Sequence, residues 1–316
     1  MNGIVRISLV FAVIFWHFPE PDTYASFAII NPISSDLAVK IFFILSGGII
    51  AKIQLNPEFS AVSFLQNRFF YLFIPLALFL SIYFLGYYFL FIDKKNIADV
   101  LFINFGYLFL PSLQTVNDKI FMPHVWSLSY EFYFYFLALF VFRFIGYRLL
   151  KLIAVILLFL FFFVLTNFPL SDKGFFINLI FFFCSWSLVR VGIFQKLKNA
   201  SQAQIRLIVL ANCIILFLLV SFGGRLQAIE FYCSFLALNL IVLDTIIKPI
   251  KLNRLLGRVT LYVYLVHLGV NYIIWSKLSI EQPVGIAVLS LICSIFLSLI
   301  CIVTERFIAN AIDIKA

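Results

Sequence analysis

The residues able to do chemistry in this sequence are few, and they sit in apolar surroundings. The first apolar run holds Arg6-Ile-Ser-Leu-Val-Phe-Ala-Val-Ile-Phe-Trp-His17, a guanidinium at one end and an imidazole at the other. As a helix, the eleven-residue step separates them by about 16 Å along the axis. That is about half of the roughly 30 Å hydrocarbon core of a bilayer. A guanidinium offers a planar fork of donors to an anionic oxygen, and an imidazole takes up a proton near neutral pH. Ionisable side chains inside a membrane span are costly, and a functional role is the default reading of one.

A second chemistry-bearing stretch runs Pro123-His124-Val125-Trp126-Ser127-Leu128-Ser129-Tyr130-Glu131. Pro123 suits the first turn of a helix, which places His124, Ser127 and Glu131 at i, i+3 and i+7 on one face. Glu131 falls in the third turn of an apolar run and is expected to be buried. A buried carboxylate needs a partner or a proton, so it can orient a histidine or share acid–base work with one. The competing account is a polar tie between helices. A third stretch, Leu256 to His267, brings Tyr264 and His267 to i, i+3. The three histidines, His17, His124 and His267, are all the chain has; each alone reads as well as an interfacial hydrogen-bonding residue.

Three further features are weaker. Ser46-Gly47-Gly48 allows close backbone approach between helices, an ordinary packing device. Lys40, at the outer end of that run, reads as a snorkelling side chain. Arg68, followed by Pro75, is either a positive-inside anchor or a clamp for an anionic group. Glu305 and Arg306 read as a solvated boundary. The five cysteines lie in apolar runs at no metal-ligand or disulfide spacing and read as small core residues.

The elements that must position these groups follow from composition. Of 316 residues 64% are hydrophobic and 12% charged, against about 25% charged in a soluble domain; the mean hydropathy is +1.10. The sequence predicts an all-α polytopic membrane helix bundle. The net charge of +9 then marks cytoplasmic loops, not nucleic-acid binding. Eleven apolar runs are visible, at 4–18, 37–51, 69–92, 97–111, 126–145, 149–168, 174–193, 204–222, 226–246, 257–276 and 283–304. If 97–111 does not cross, the basic loops around Arg148, Lys196 and Lys251 all fall on the cytoplasmic side. The expectation is therefore about ten transmembrane helices with both termini cytoplasmic, in one domain spanning 1–316, the first run being a retained span and not a signal peptide. Eleven spans with an external N-terminus rank second.

These motifs, in this order, resemble the membrane-bound acyltransferase-3 family, which includes bacterial O-antigen and exopolysaccharide O-acetyltransferases. The Arg-x10-His pair matches Arg6 and His17, and Phe-Phe-x-x-Ser-Gly matches Phe42 to Gly47. The Arg-rich start of the third span matches Arg68 and Pro75. His-x-Trp-Ser-Leu-x-x-Glu matches His124 to Glu131, and Tyr-Leu-x-His matches Tyr264 to His267. A terminal Glu-Arg matches Glu305 and Arg306. The chain departs from the pattern at Gly3-Ile4-Val5-Arg6, where the family's acidic neighbour of the arginine is missing, and at Leu72, where a further arginine is usual.

The resemblance implies transfer of an acyl group, most commonly acetyl, from acyl-CoA to a hydroxyl of a cell-surface polysaccharide or glycolipid sugar. Acetyl-CoA would be a co-substrate, with no metal. His17 would be the base, Glu131 and His267 the other catalytic groups, and Arg6 and Arg68 the donor-binding groups. His124, Trp126, Ser127 and Tyr264 would support them. Partners would be acyl-CoA, a glycan or lipid-linked sugar acceptor and membrane lipids, at the cytoplasmic membrane of a bacterium. A flippase for lipid-linked glycans would share the spans and buried polar groups, but more often shows Gly/Pro-broken repeats. A glycan polymerase would carry a large basic external loop, whereas 93–125 is small and balanced in charge.

Overall fold

The computed structural model describes residues 2–16, 35–70, 72, 75–77, 126–167, 175–192, 256, 259–267, 270, 289 and 291–303. Regular structure there is helical throughout, with no strand among the described residues. Five elements are α1 (Asn2–Trp16), α2 (Ser35–Gln54), α3 (Trp126–Phe144), α4 (Tyr147–Asn167) and α5 (Phe175–Arg190). Shorter helical stretches cover 61–70, 259–267 and 291–303. The all-α expectation holds. Among the described residues no helix is long and apolar enough to cross a membrane. The runs 97–111, 204–222 and 226–246, on which the count of ten spans turns, lie outside the described residues.

Local chemistry sets the helix ends. In α2, Asp36 sits in the first turn and Lys52 in the last, each favourable to the helix dipole. The chain then turns through 55–60, where Asn56 Oδ1 accepts from the Glu58 amide at 3.2 Å. Ser60 caps the next helix, its Oγ accepting from the Ser63 amide at 3.3 Å. At the end of α5 the amide of Val191 donates to the Ser187 carbonyl at 2.9 Å and that of Gly192 to Val189 at 3.1 Å. Gly192 takes φ 76°, the left-handed conformation that a glycine adopts without penalty at a helix C-terminus.

The chain divides into two compact units, one of Met1–Phe59 with Phe134–Gly257, the other of Ser60–Tyr133 with Arg258–Ala316. In the first, α2 packs on α5, α5 on α4 and α1 on α2. Residues 181–189 of α5 are all buried, as expected of a helix surrounded by others. Phe134 sits among the rings of Phe43, Phe175 and Phe182, each with its centroid 5.3 Å away. A buried Phe contributes about 1.5–3 kcal/mol of transfer free energy, so this cluster is a main support of the unit. The outer face of α4 is different: Leu149, Leu152, Val155, Ile156 and Phe159 are all exposed, Phe159 to 70%.

In the second unit, residues 259–266 are buried throughout and His267 closes the stretch. The 291–303 helix presents one exposed apolar face through Ile292, Phe296, Leu299, Ile300 and Val303. Ser294 and Ser298 lie on its buried side, Ser298 Oγ donating to the Ser294 carbonyl at 2.6 Å.

Candidate active site

Five of the predicted site residues, Trp126, Ser127, Glu131, Tyr264 and His267, come together in the second unit. Ser127, in the first turn of α3, and Tyr264, in the 259–267 helix, are both buried, and their hydroxyls lie 2.9 Å apart. Glu131 stands one turn beyond Ser127 on α3, within electrostatic reach of the Tyr264 phenol. The expectation of full burial needs correction, because Glu131 is half-buried. Ser127, Phe134 and Ala138 on the same face of α3 are buried, whereas Glu131 on that face keeps partial exposure. Trp126 is buried beside Ser127 and meets the Tyr130 ring edge-on at 5.4 Å.

His267 is fully buried, at 0% exposure. Its Nδ1 lies 2.7 Å from the Tyr264 carbonyl oxygen. A carbonyl can only accept, so Nδ1 carries the proton of that bond. The neutral ring then holds its basic lone pair on Nε2, which is the arrangement of a general base with a fixed tautomer. The Tyr264 and His267 rings are neighbours, centroids 5.7 Å apart, as their i, i+3 spacing predicts. In the same unit Arg68 is half-buried and places its guanidinium carbon 5.6 Å from the centre of the Phe64 ring, a cation–π contact one helical turn back.

Arg6 belongs to the first unit. Its Nη2 donates to Ser46 Oγ at 3.3 Å, so α1 and the Ser-Gly-Gly segment of α2 are joined by a polar contact. Gly47 lies hard against α5. A Cβ there would overlap the Phe182 carbonyl and sit 2.6 Å from Ser185 Oγ. Ser185 Oγ donates to the Ile44 carbonyl at 2.5 Å. His17 and His124 lie outside the described residues.

Lys40 departs from its expected place, and further buried polar residues belong to no motif. Lys40 is 1% exposed and does not snorkel; α2 is covered by α1 and α5, which leaves its side chain inside the unit. Gln54 is buried in the last turn of α2, and its Oε1 accepts from Trp186 Nε1 of α5 at 2.8 Å. Asn178, Ser185 and Ser187 are fully buried on α5. Their signal in the sequence is the presence of amide and hydroxyl groups in the otherwise apolar run 174–193.

A chain whose described elements are all helical, and which buries an imidazole of fixed tautomer beside a phenol and a hydroxyl, has the groups that general-base transfer chemistry requires. A family model described as "Acyltransferase domain" matches residues 4–303, and the chain belongs to this acyltransferase-3 family. It is an acyltransferase, of a family whose reaction is acyl transfer to a carbohydrate hydroxyl. No curated protein and no solved structure matches the chain.

Proposed function

We propose that this acyltransferase lies in the cytoplasmic membrane of a bacterium and moves an acyl group, acetyl by the family resemblance, from acyl-CoA to a hydroxyl of a cell-surface glycan or lipid-linked sugar. The observation that carries the reading is the match of an acyltransferase domain over 4–303, in a chain that also buries His267 with its basic nitrogen set by the Tyr264 carbonyl. The exposed apolar faces of α4 and of the 291–303 helix support the membrane setting. In water such faces are a liability, whereas acyl chains solvate them. The charge pattern of the loops supports about ten spans with both termini inside. We read the whole chain, 1–316, as one catalytic domain.

In this mechanism a histidine takes the proton of the sugar hydroxyl as its oxygen attacks the thioester carbonyl carbon. The carbon–sulfur bond then breaks and the thiolate of CoA leaves. His17 is the first candidate for the base and His267 the second, its Nε2 becoming a donor to the oxyanion once it has taken up a proton. Glu131 orients the catalytic imidazole. Arg6 and Arg68 bind the anionic donor, and Arg6 stands eleven positions before His17 in the sequence. Trp126, Ser127, Tyr264 and His124 are the supporting residues. The reaction needs acyl-CoA as co-substrate and proceeds without a metal. The match to an acyltransferase domain favours none of the flippase or polymerase alternatives.

The test is glycan mass spectrometry on cells that carry the intact protein, no protein, or His17→Ala at matched membrane levels. An acetyl gain on a surface glycan with the intact protein, lost in His17→Ala, is the expected result. A gain that survives His17→Ala moves the base to His267. No gain with folded protein present rejects the acceptor class.

A further inference from the structure

We propose that Ser46 is a positioning residue for Arg6. Its buried hydroxyl holds the guanidinium so that the Nε–H edge is presented to an oxygen bearing negative charge during transfer. The proposal rests on the acyl-transfer reading above. Ser46 is 4% exposed, and the contacts of its neighbours with α5 fix its direction. On one side, Ile44 accepts a hydrogen bond from Ser185. On the other, Gly47 lets the Phe182 backbone approach closer than any side chain would permit. α2 therefore cannot roll about its axis, and the Ser46 hydroxyl stays where Arg6 Nη2 finds it at 3.3 Å.

Two features make this contact more than a packing tie. Ser46 is a neutral acceptor, and the sequence around Arg6, Gly3-Ile4-Val5-Arg6-Ile7, has no acidic residue. Ser46 being neutral, this bond anchors the guanidinium without offsetting its charge. In addition, Arg6 Nε is buried and has no hydrogen-bond partner among the described residues. A buried donor left unmatched is costly, and an anionic oxygen of the substrate would satisfy it. That oxygen is either a phosphate oxygen of the acyl donor or the oxyanion that forms at the thioester carbonyl.

The experiment compares the intact protein with Ser46→Ala and Ser46→Cys. Cysteine keeps the volume but is a weak acceptor, so it separates hydrogen bonding from packing. The first readout is labelling of Arg6 by phenylglyoxal in solubilised protein, followed by peptide mass spectrometry. The second is the rate of acetyl transfer from acetyl-CoA. Both variants should label Arg6 several-fold faster and lose about ten-fold in kcat/KM, the effect of one hydrogen bond to a charged group. A loss carried by KM for acetyl-CoA assigns the oxygen to the donor's phosphates, and one carried by kcat assigns it to the oxyanion. Ser46→Cys matching the intact protein in labelling and kinetics overturns the proposal. Faster labelling of the variants together with no acyl transfer by intact protein overturns the acyl-transfer reading and the role given to Arg6 within it, while unchanged labelling overturns the positioning itself.

Discussion

The hydroxyls of Ser127 and Tyr264 lie 2.9 Å apart inside the protein although 137 positions separate them in the chain. Each depends on the other, because a hydroxyl deprived of its partner in a buried place costs about 1–3 kcal/mol. Ser127→Ala and Tyr264→Phe should each lower stability by about that amount. Made together, they should cost less than their sum, with a coupling of about 0.5 kcal/mol or more. Unfolding in detergent across the four-member cycle measures this, and strict additivity would show that the two hydroxyls do not interact.

His267 offers a way to separate tethering from catalysis. His267→Asn keeps a donor for the Tyr264 carbonyl, now bonded at 2.7 Å, but removes the basic Nε2. Its stability should stay near that of the intact protein, while transfer falls by about 10²- to 10⁴-fold. His267→Ala should lose both. An Asn variant with normal transfer rates would remove His267 from the chemistry.

At Gly47 the added methyl of Gly47→Ala runs into the Phe182 carbonyl and Ser185 Oγ. Overpacking of this kind costs about 1–3 kcal/mol. Gly146→Ala is the control, since a Cβ there meets nothing within 4 Å and the change should stay within about 0.5 kcal/mol. Equal thermal midpoints for the two variants would contradict the close approach of α2 and α5.

The buried Trp186–Gln54 bond makes a prediction with an unusual sign. Trp186→Phe leaves Gln54 Oε1 without the donor now 2.8 Å away and should destabilise by about 1–3 kcal/mol in addition to lost packing. Adding Gln54→Leu removes the stranded amide and should recover part of the loss. Unfolding midpoints of the single and double variants decide it; a double variant less stable than Trp186→Phe alone would refute the account.

The helices were legible because apolar runs and helices report the same burial. The run 126–145 became Trp126–Phe144 and 174–193 became Phe175–Arg190. The run 37–51 fell short of Ser35–Gln54, because helical hydrogen bonding continues through polar Lys52 and Gln54 where hydropathy does not look. Of the site, the shared face of Tyr264 and His267 was legible from i, i+3 spacing. The partners of Arg6, Ser127 and Trp186 were not. Periodicity says which way a side chain points on its own helix, while the group it meets lies 40 to 137 positions away. Lys40 was misread for the same reason: only the packing of neighbouring helices decides whether a long side chain can reach the surface.

The Ser185–Ile44 contact spans 141 positions, and this sets an order on biosynthesis. Arg6 and Ser46 can meet as soon as the second helix has left the ribosome. The small-residue face of that helix, around Gly47, must wait for α5. At about 5–20 residues per second the wait is roughly 7 to 28 s. Until then the face of α2 around Gly47 lacks the cover that α5 gives it.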